Sequence, residues 1–400
     1  MPGPLDGVKV VELGQWVAGP STAAVLADWG ADVVKVEPPS GDPARDFFRF
    51  MGSEVNINVP FELDNRSKRS IAVELSRPEG RELVIELLLQ ADALVTNFRI
   101  GALERLGLAY DQVAERCPQL VYCALTGYGV DGPERDRAAY DVGAFWSRAG
   151  IAGLLTPPGG EPPFQRGAFG DHSIAVALAG GISAALVARQ KSGRGQLVST
   201  SLLRWGAWCI AFDLQLQLRV GRPVSAMTHE AMGNPLMNWF ADRDGRRFWL
   251  IGLDSERHWP DLARAVDHPE WIDDRRFVDV LARRDNCELL NRLLDEAFAT
   301  RTRDEWAKVL DAEGMWWSPI QDVEEVIADP QLWANGGFVE VEEPSGAAAM
   351  MVASPIDFRD TPQGPRATAP ELGADTDDVL AELGRTPDEI AALRADGIVA

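Results

Sequence analysis

The residue best placed to do chemistry is an aspartate on a glycine turn. Asp171 follows Gly170 and precedes an Ala/Gly-rich stretch of helical character. An Asp just before a helix is a preferred N-cap, its carboxylate accepting a backbone N–H of the first turn. The same carboxylate, turned toward a ligand, is a nucleophile or a base, and the positive end of the helix would keep it ionised at neutral pH. His172 is adjacent, but neighbours on a turn point apart, so the two do not read as a dyad. His229, His258 and His268 lack ligand spacing and read as structural or surface residues. Tyr140-Asp141 closes a Gly/Pro-rich connection and reads locally as an aromatic anchor with a turn or cap residue.

Basic residues gather at Arg66, Lys68 and Arg69, and again at Arg99 and Arg105. Such clusters either hold a polyphosphate or form a solvated face. The segment Gly14-Gln15-Trp16-Val17-Ala18-Gly19-Pro20 lacks the GxGxxG spacing of a dinucleotide turn, and Trp16 would crowd a phosphate. Glu37 stands where a ribose-binding acid would lie, but a strand end explains it equally. The four cysteines (Cys117, Cys123, Cys209 and Cys287) are scattered, without zinc or CxxC spacing. They read as free thiols of a reducing compartment.

The elements that must position these residues follow from the apolar pattern. Residues 8–14 read as a buried strand, 20–30 as a helix with Pro20 in its first turn, and 31–37 as a second strand. Strands at 70–75, 93–96, 120–125 and 196–199 alternate with helices at 78–90, 101–116, 173–189 and 202–219. That alternation is the mark of an α/β fold with a parallel sheet. Residues 128–170 form a long connection without clear periodicity, which is usually functional. The character shifts near residue 220, where seven tryptophans fall within 221–330. A strand at 248–253 and helices at 255–266, 287–299 and 303–313 suggest a smaller α+β domain. Two strand-like segments, 338–341 and 350–352, and helices at 376–383 and 388–393 close the chain. The expected division is a large domain of 1–220 plus 335–400 and a small one of 221–334.

A chain of 400 residues with 46% hydrophobic and 25% charged residues can bury a large core without disulfides or metal. Its net charge of −22 argues against nucleic acid or an anionic membrane as partner. The N-terminus lacks a signal-peptide pattern. The longest apolar run, Ile174 to Val187, is short for a membrane span. These features point to the cytoplasm.

Taken in order, the segments resemble the family III CoA-transferases, which share a fold with the alpha-methylacyl-CoA racemases. The resemblance runs through Pro4-Leu5-Asp6-Gly7-Val8-Lys9-Val10, Ala18-Gly19-Pro20, Gly30-Ala31-Asp32-Val33-Val34-Lys35-Val36-Glu37 and Gly41-Asp42-Pro43. It continues with Lys68-Arg69-Ser70, Asn97-Phe98, Gly101-Ala102-Leu103, Thr126-Gly127-Tyr128-Gly129, Gly170-Asp171 and Lys191-Ser192-Gly193-Arg194-Gly195-Gln196. Each is weak alone; the ordered set is specific and spans nearly the whole chain.

The resemblance implies a Rossmann-like large domain, a small domain and a homodimer of interlocked rings. It implies acyl-CoA thioesters and carboxylic acids as substrates, with no tightly bound cofactor and no metal. Asp171 falls on the family's catalytic aspartate, which carries CoA through acyl-aspartyl anhydride and aspartyl-CoA intermediates. Val17, Ala18, Asn97, Phe98 and Arg105 fall on CoA-contacting positions, and the Arg66/Lys68 cluster is expected to join them. Tyr140, Gly170 and Trp239 are expected in the substrate pocket. The chain departs from the formyl-CoA transferases in carrying Val17 where they have glutamine. Met237, Trp239 and Phe240 stand in the flap region. An acceptor larger or more apolar than oxalate is expected. Racemases have histidine where Tyr140 stands, and a phenol of pKa ~10 is a poor base at neutral pH. Transfer is therefore expected over racemisation. A CoA-binding protein without turnover and an NAD oxidoreductase are more distant readings.

Overall fold

Val10, Val11 and Leu13 supply the β-branched and apolar side chains of a strand buried on both faces, and strand β1 (Lys9–Leu13) lies in the middle of a six-stranded sheet. The computed structural model describes residues 3–52, 57–222, 226–343 and 345–400. The described residues within 1–154, 163–224 and 333–400 form one compact unit, and those within 155–162 and 225–332 form the other. The junction read near residue 220 adjoins residues 223–225, which lie outside the described residues.

The first unit is built on β1, β2 (Asp32–Glu37), β3 (Arg69–Ala72), β4 (Ala93–Thr96), β5 (Val121–Thr126) and β6 (Leu197–Ser201). All neighbours are parallel, in the order β3-β2-β1-β4-β5-β6. Val10 sits in register with Val33 on one side and Ala93 on the other. The order reverses between β1 and β4. In open parallel sheets that switch point leaves a crevice at the carboxyl ends of the strands, where ligands bind. The alternation read from the sequence is therefore the α/β fold observed.

Apolar side chains cover both faces. The helix Ala18–Asp28, called α1, packs with the helix Phe169–Ser192 over one face, around Leu26, Ile174, Leu178 and Ile182. The helix Pro78–Gln90 and the C-terminal helices Thr376–Glu382 and Pro387–Ala395 cover the other, around Leu83, Leu94, Val379 and Ile390. The chain end returns to β3: Ala400 donates to the Ala72 carbonyl at 3.2 Å and Asp375 accepts from the Ser70 N–H at 2.8 Å. Truncating a fully buried leucine such as Leu13 or Leu26 would cost about 2–5 kcal/mol.

Several elements differ from the sequence reading in instructive ways. The helix read as 101–116 breaks into Ile100–Leu106 and Tyr110–Arg116, because Gly107 takes φ +72°, a left-handed helix stop. The long connection contains a π-helical turn at Val142–Arg148 and a short helix at Ile151–Leu155. The helix read as 173–189 is 24 residues, Phe169–Ser192. By length and composition it would suffice to cross a membrane. Its side chains from Ile174 to Leu186 instead line the core beside α1.

In the second unit, a three-stranded antiparallel sheet of β7 (Trp239–Ala241), β8 (Arg247–Leu250) and β9 (Trp317–Pro319) packs with helices Ser255–Ala265, Cys287–Phe298 and Arg303–Ala312. Its core is aromatic, with Phe240, Phe248, Trp259, Phe298 and Trp306 buried. The strand expected to reach Leu253 ends at Leu250, where the Ile251 N–H turns to the Trp316 carbonyl.

Candidate active site

Asp171 is not the cap of its helix. The helix starts at Phe169, so Asp171 is the third residue of the first turn, and Ala168 occupies the cap position with no side-chain acceptor. The acceptor comes from elsewhere: Asp141 Oδ2 takes the Gly170 N–H at 3.2 Å and a bond from Gln165 Nε2. Its other oxygen accepts the Val142 N–H at 2.7 Å. Asp141 thus ties the end of the long connection to the Gly170 turn. The turn is tight. A Cβ on Gly170 would lie 2.7 Å from ring carbons of Phe145, so only glycine fits against that buried ring.

With the cap supplied by Asp141, the Asp171 carboxylate accepts no hydrogen bond among the described residues. It is also not held ionised by its helix, as the sequence reading expected. Burial raises its pKa most, the Asp141 charge adds to that, and His172 only partly opposes them, so the group is pushed up to about 8. Desolvation and like charge outweigh the helix end because no donor solvates the carboxylate directly.

His172 faces Asp64, with Nε2 3.0 Å from Oδ1. Burial works against imidazole protonation, but the Asp64 bond and charge override it and hold the pKa above the ordinary value. Asp64 also accepts from Ser21 Oγ at 2.9 Å, which anchors it to α1. Local sequence marked Asp141 as a turn or cap residue, which its bond from the Val142 N–H bears out, but not its bond to Gly170, 29 residues on. Asp64 was not singled out, and it meets His172 across 108 residues.

At the sheet switch point, the turn after β1 meets the turn after β4. Asn97 Oδ1 accepts the Gln15 N–H at 3.0 Å and its Nδ2 donates to the Gln15 carbonyl at 2.7 Å. A cavity of about 310 Å³ opens here, lined by Gln15, Trp16, Asn97, Phe98, Arg99 and Ala102. Val17 and Ala18 follow directly, half-buried and buried respectively. Trp16 holds φ +64°, and its ring meets the exposed Tyr140 ring edge-on at 5.7 Å. Ala168, just before the Asp171 turn, has φ +57°. Left-handed non-glycine residues cost of order 1–3 kcal/mol and cluster at functional sites. Trp16 and Tyr140 thus link the strand-end cavity to Asp141 and the Gly170 turn. Arg105 is exposed on the helix Ile100–Leu106, with no carboxylate on it among the described residues.

The other expected basic residues point inward. Arg66 is buried, its guanidinium bonded to both Asp28 oxygens and to the Val352 carbonyl. Lys68 Nζ is buried among Glu12 Oε2 at 2.5 Å, the Asp64 and Pro20 carbonyls and Asn65 Oδ1. Burial outweighs the pull of Glu12 and lowers its pKa to about 8. Three ammonium protons meet four acceptors, so no donor is left over for a phosphate. Glu37 is likewise occupied, accepting from Arg45, Ser70 Oγ and the Asp42 N–H. Trp239 belongs to the second unit, where its ring lies 4.5 Å from His229 and beneath Arg247. Gln15, Trp16, Arg99 and Ala102 are the cavity residues absent from the expected site, although Arg99 had appeared in the second basic cluster.

The model of the CoA-transferase family III matches residues 5–376. The (R)-2-hydroxy-4-methylpentanoate CoA-transferase of Clostridioides difficile is 31% identical over 398 residues, covering 99% of both chains. The cinnamoyl-CoA:phenyllactate CoA-transferase of Clostridium sporogenes is 29% identical over 395 residues, covering 98% of this chain and 96% of its own. Among solved structures, a CAIB/BAIF family protein from Brucella suis superposes with a TM-score of 0.83 at 32% identity, over 96% of this chain and 100% of its own.

Proposed function

The chain belongs to the CoA-transferase family III and is a CoA-transferase, and from that premise we propose that it moves CoA between carboxylic acids through covalent intermediates on Asp171. The observation that carries this reading is the Asp171 carboxylate itself, half-buried and without a hydrogen bond among the described residues. Its lone pairs are free to attack.

The sequence of steps conserves every atom. The Asp171 carboxylate attacks the donor thioester carbonyl, the C–S bond breaks, and a mixed anhydride and CoA thiolate result. The thiolate attacks the aspartyl carbonyl and expels the donor carboxylate, leaving aspartyl-CoA. The acceptor carboxylate then displaces the thiolate to form a second anhydride. The thiolate attacks the acceptor carbonyl, and the Asp171 carboxylate is released. No proton is taken up or lost overall, and the thioester energy is kept throughout. Both anhydrides hydrolyse readily, so the half-buried position of Asp171 serves to exclude water.

CoA would enter at the switch-point cavity, along Val17, Ala18, Asn97 and Phe98, with Trp16 beside them. Arg99 and Arg105 are the exposed guanidiniums suited to its phosphates. Arg66 and Lys68 would serve from inside, holding α1 and the Asp64 segment in place. Asn97 would act chiefly by fixing the Gln15 turn. Tyr140 and Gly170 are the proposed acyl-pocket residues of this unit. The acceptor is a carboxylic acid larger than oxalate. The two relatives named above act on 2-hydroxy-4-methylpentanoate and phenyllactate, which supports an acceptor of that size.

A homodimer is part of the proposal. The helix Ala211–Val220 has no buried residue, yet it carries Phe212 at 81% and Leu218 at 78% exposure, beside Trp208 at 70%. A groove of about 590 Å³ runs along this surface. Such an apolar patch on a stable protein calls for a cover, and a second copy of the chain is the occupant we favour. The cytoplasmic placement read from the sequence is kept.

The test is direct. Enzyme incubated with succinyl-CoA or acetyl-CoA and a panel of carboxylic acids should yield new acyl-CoA thioesters of matching mass, without ATP. Incorporation of solvent deuterium at the α-carbon of a 2-methylacyl-CoA, with no acceptor present and no new thioester formed, would replace transfer by racemisation.

A further inference from the structure

Gln165 is joined to the catalytic turn by one end of its amide only. Its Nε2 donates to Asp141 Oδ2, the oxygen that also accepts the Gly170 N–H. That oxygen is an acceptor for both, which fixes the orientation of the amide: nitrogen toward Asp141, oxygen away. The amide oxygen, Oε1, is buried and has no hydrogen-bond partner among the described residues. A buried acceptor left without a donor is costly, and a water, local strain or a bound ligand can account for it; beside the catalytic turn a ligand is the explanation with a functional consequence.

The position narrows what that is. Oε1 belongs to the amide whose Nε2 is bonded to Asp141, and Asp141 in turn accepts the N–H of Gly170, the residue before Asp171. It is on the Asp141 side of the turn and does not line the strand-end cavity proposed for CoA. The acceptor's carboxylate cannot satisfy it, because ionised carboxylate oxygens only accept. A donor carried on the acid close to its carboxylate can, and the simplest is a hydroxyl.

Resting on the CoA-transfer reading, we propose that Gln165 is a specificity-determining residue whose Oε1 accepts a hydrogen bond from an α-hydroxyl, making 2-hydroxy carboxylic acids the preferred acceptors. The hydroxyl takes no part in bond making. It is two bonds from the reacting carbonyl carbon, so a bond to Gln165 orients the acid for attack on aspartyl-CoA. A site built to pair a substrate hydroxyl rejects the analogue lacking it, because the protein group is then left unpaired.

The experiment uses matched acids: lactate against propanoate, 2-hydroxyhexanoate against hexanoate, and mandelate against phenylacetate. Two readings are taken, formation of the Asp171–CoA adduct from donor alone, then kcat/KM for each acid. The expected result is adduct formation followed by at least about a tenfold preference for the hydroxy member of the best pair. In Gln165→Leu and Gln165→Met that preference, read as the ratio of kcat/KM for the hydroxy and deoxy acids, falls toward unity, whatever the loss of the Nε2 bond to Asp141 does to the absolute rates. Adduct formation with no hydroxy preference in the wild-type enzyme overturns this inference alone and needs no variant to fold. So does a preference that survives both substitutions. A loss of CoA affinity in both variants, with acid preference unchanged, would assign Oε1 to a CoA amide and overturn it as well. Absence of the adduct, with donor bound, removes the transfer reading and this inference with it.

Discussion

The Gly170 N–H donates to Asp141 Oδ2 at 3.2 Å, so the helix that carries Asp171 is capped by a carboxylate from 29 residues upstream. The arrangement frees Asp171 from capping and places a second negative charge beside it. That charge, together with burial, pushes the Asp171 pKa up to about 8. The rate of adduct formation should therefore rise with pH through that value, as the carboxylate becomes available. Asp141→Asn keeps an oxygen acceptor and removes the charge. Its pH–rate limb should move down by about 1, measured by single-turnover kinetics with a fixed donor.

Asp171 also shapes stability. Between about pH 4 and pH 8 the unfolded chain has lost the Asp171 proton while the folded chain still holds it. Folded stability therefore falls as pH rises through that window. Asp171→Asn removes this dependence. The variant should be more stable than wild type at pH 8 by roughly 1–3 kcal/mol, discounted for partial exposure, and the difference should vanish near pH 4. Thermal melts of both proteins across that range check it.

Among the described residues, His172 is the group whose charge lowers the Asp171 pKa, and the bond to Asp64 at 3.0 Å favours its protonated form. His172→Asn should raise the Asp171 pKa further. Adduct formation at pH 7 should drop by about tenfold and recover at pH 9. A loss equal at both pH values would instead mark a packing defect.

Two lysine and arginine substitutions separate structural from ligand-facing charge. Lys68→Met leaves Glu12 Oε2 buried without its donor, although Lys35 still pairs with Oε1, and should destabilise the fold by about 1–3 kcal/mol. CoA affinity of the folded fraction should change little. Arg105→Ala should leave stability within about 0.5 kcal/mol and weaken CoA binding several-fold, more at low salt than at high. Calorimetric titration with CoA and denaturant melts read the two effects.

Local pattern made much of the fold legible. The helix Pro78–Gln90 and strand Ala93–Thr96 were readable to the residue, because Pro78 marks the first turn and the apolar spacing changes period between them. The breaks were harder. Gly107 stops a helix whose apolar spacing continues beyond it, and period alone does not register a left-handed residue. The site was legible only in part. Asp171 stood out by its glycine and by the ordered motifs around it. Its ionisation did not, since that depends on Asp141 and Asp64, brought close by the fold. The charges of Arg66 and Lys68 looked solvent-facing from composition, whereas Asp28 and Glu12, 38 and 56 residues away, take them into the interior. Gln165 carried no local signal; its meaning lies in one unpaired oxygen.

The central claim is that CoA rides on Asp171. Enzyme mixed with a donor acyl-CoA and no acceptor, then quenched with hydroxylamine, is digested and examined by peptide mass spectrometry. The account predicts modification of the peptide containing Gly170-Asp171 at the Asp171 carboxyl, and none in Asp171→Ala, which still binds CoA. An unmodified Asp171 in enzyme that turns over the same donor would contradict it.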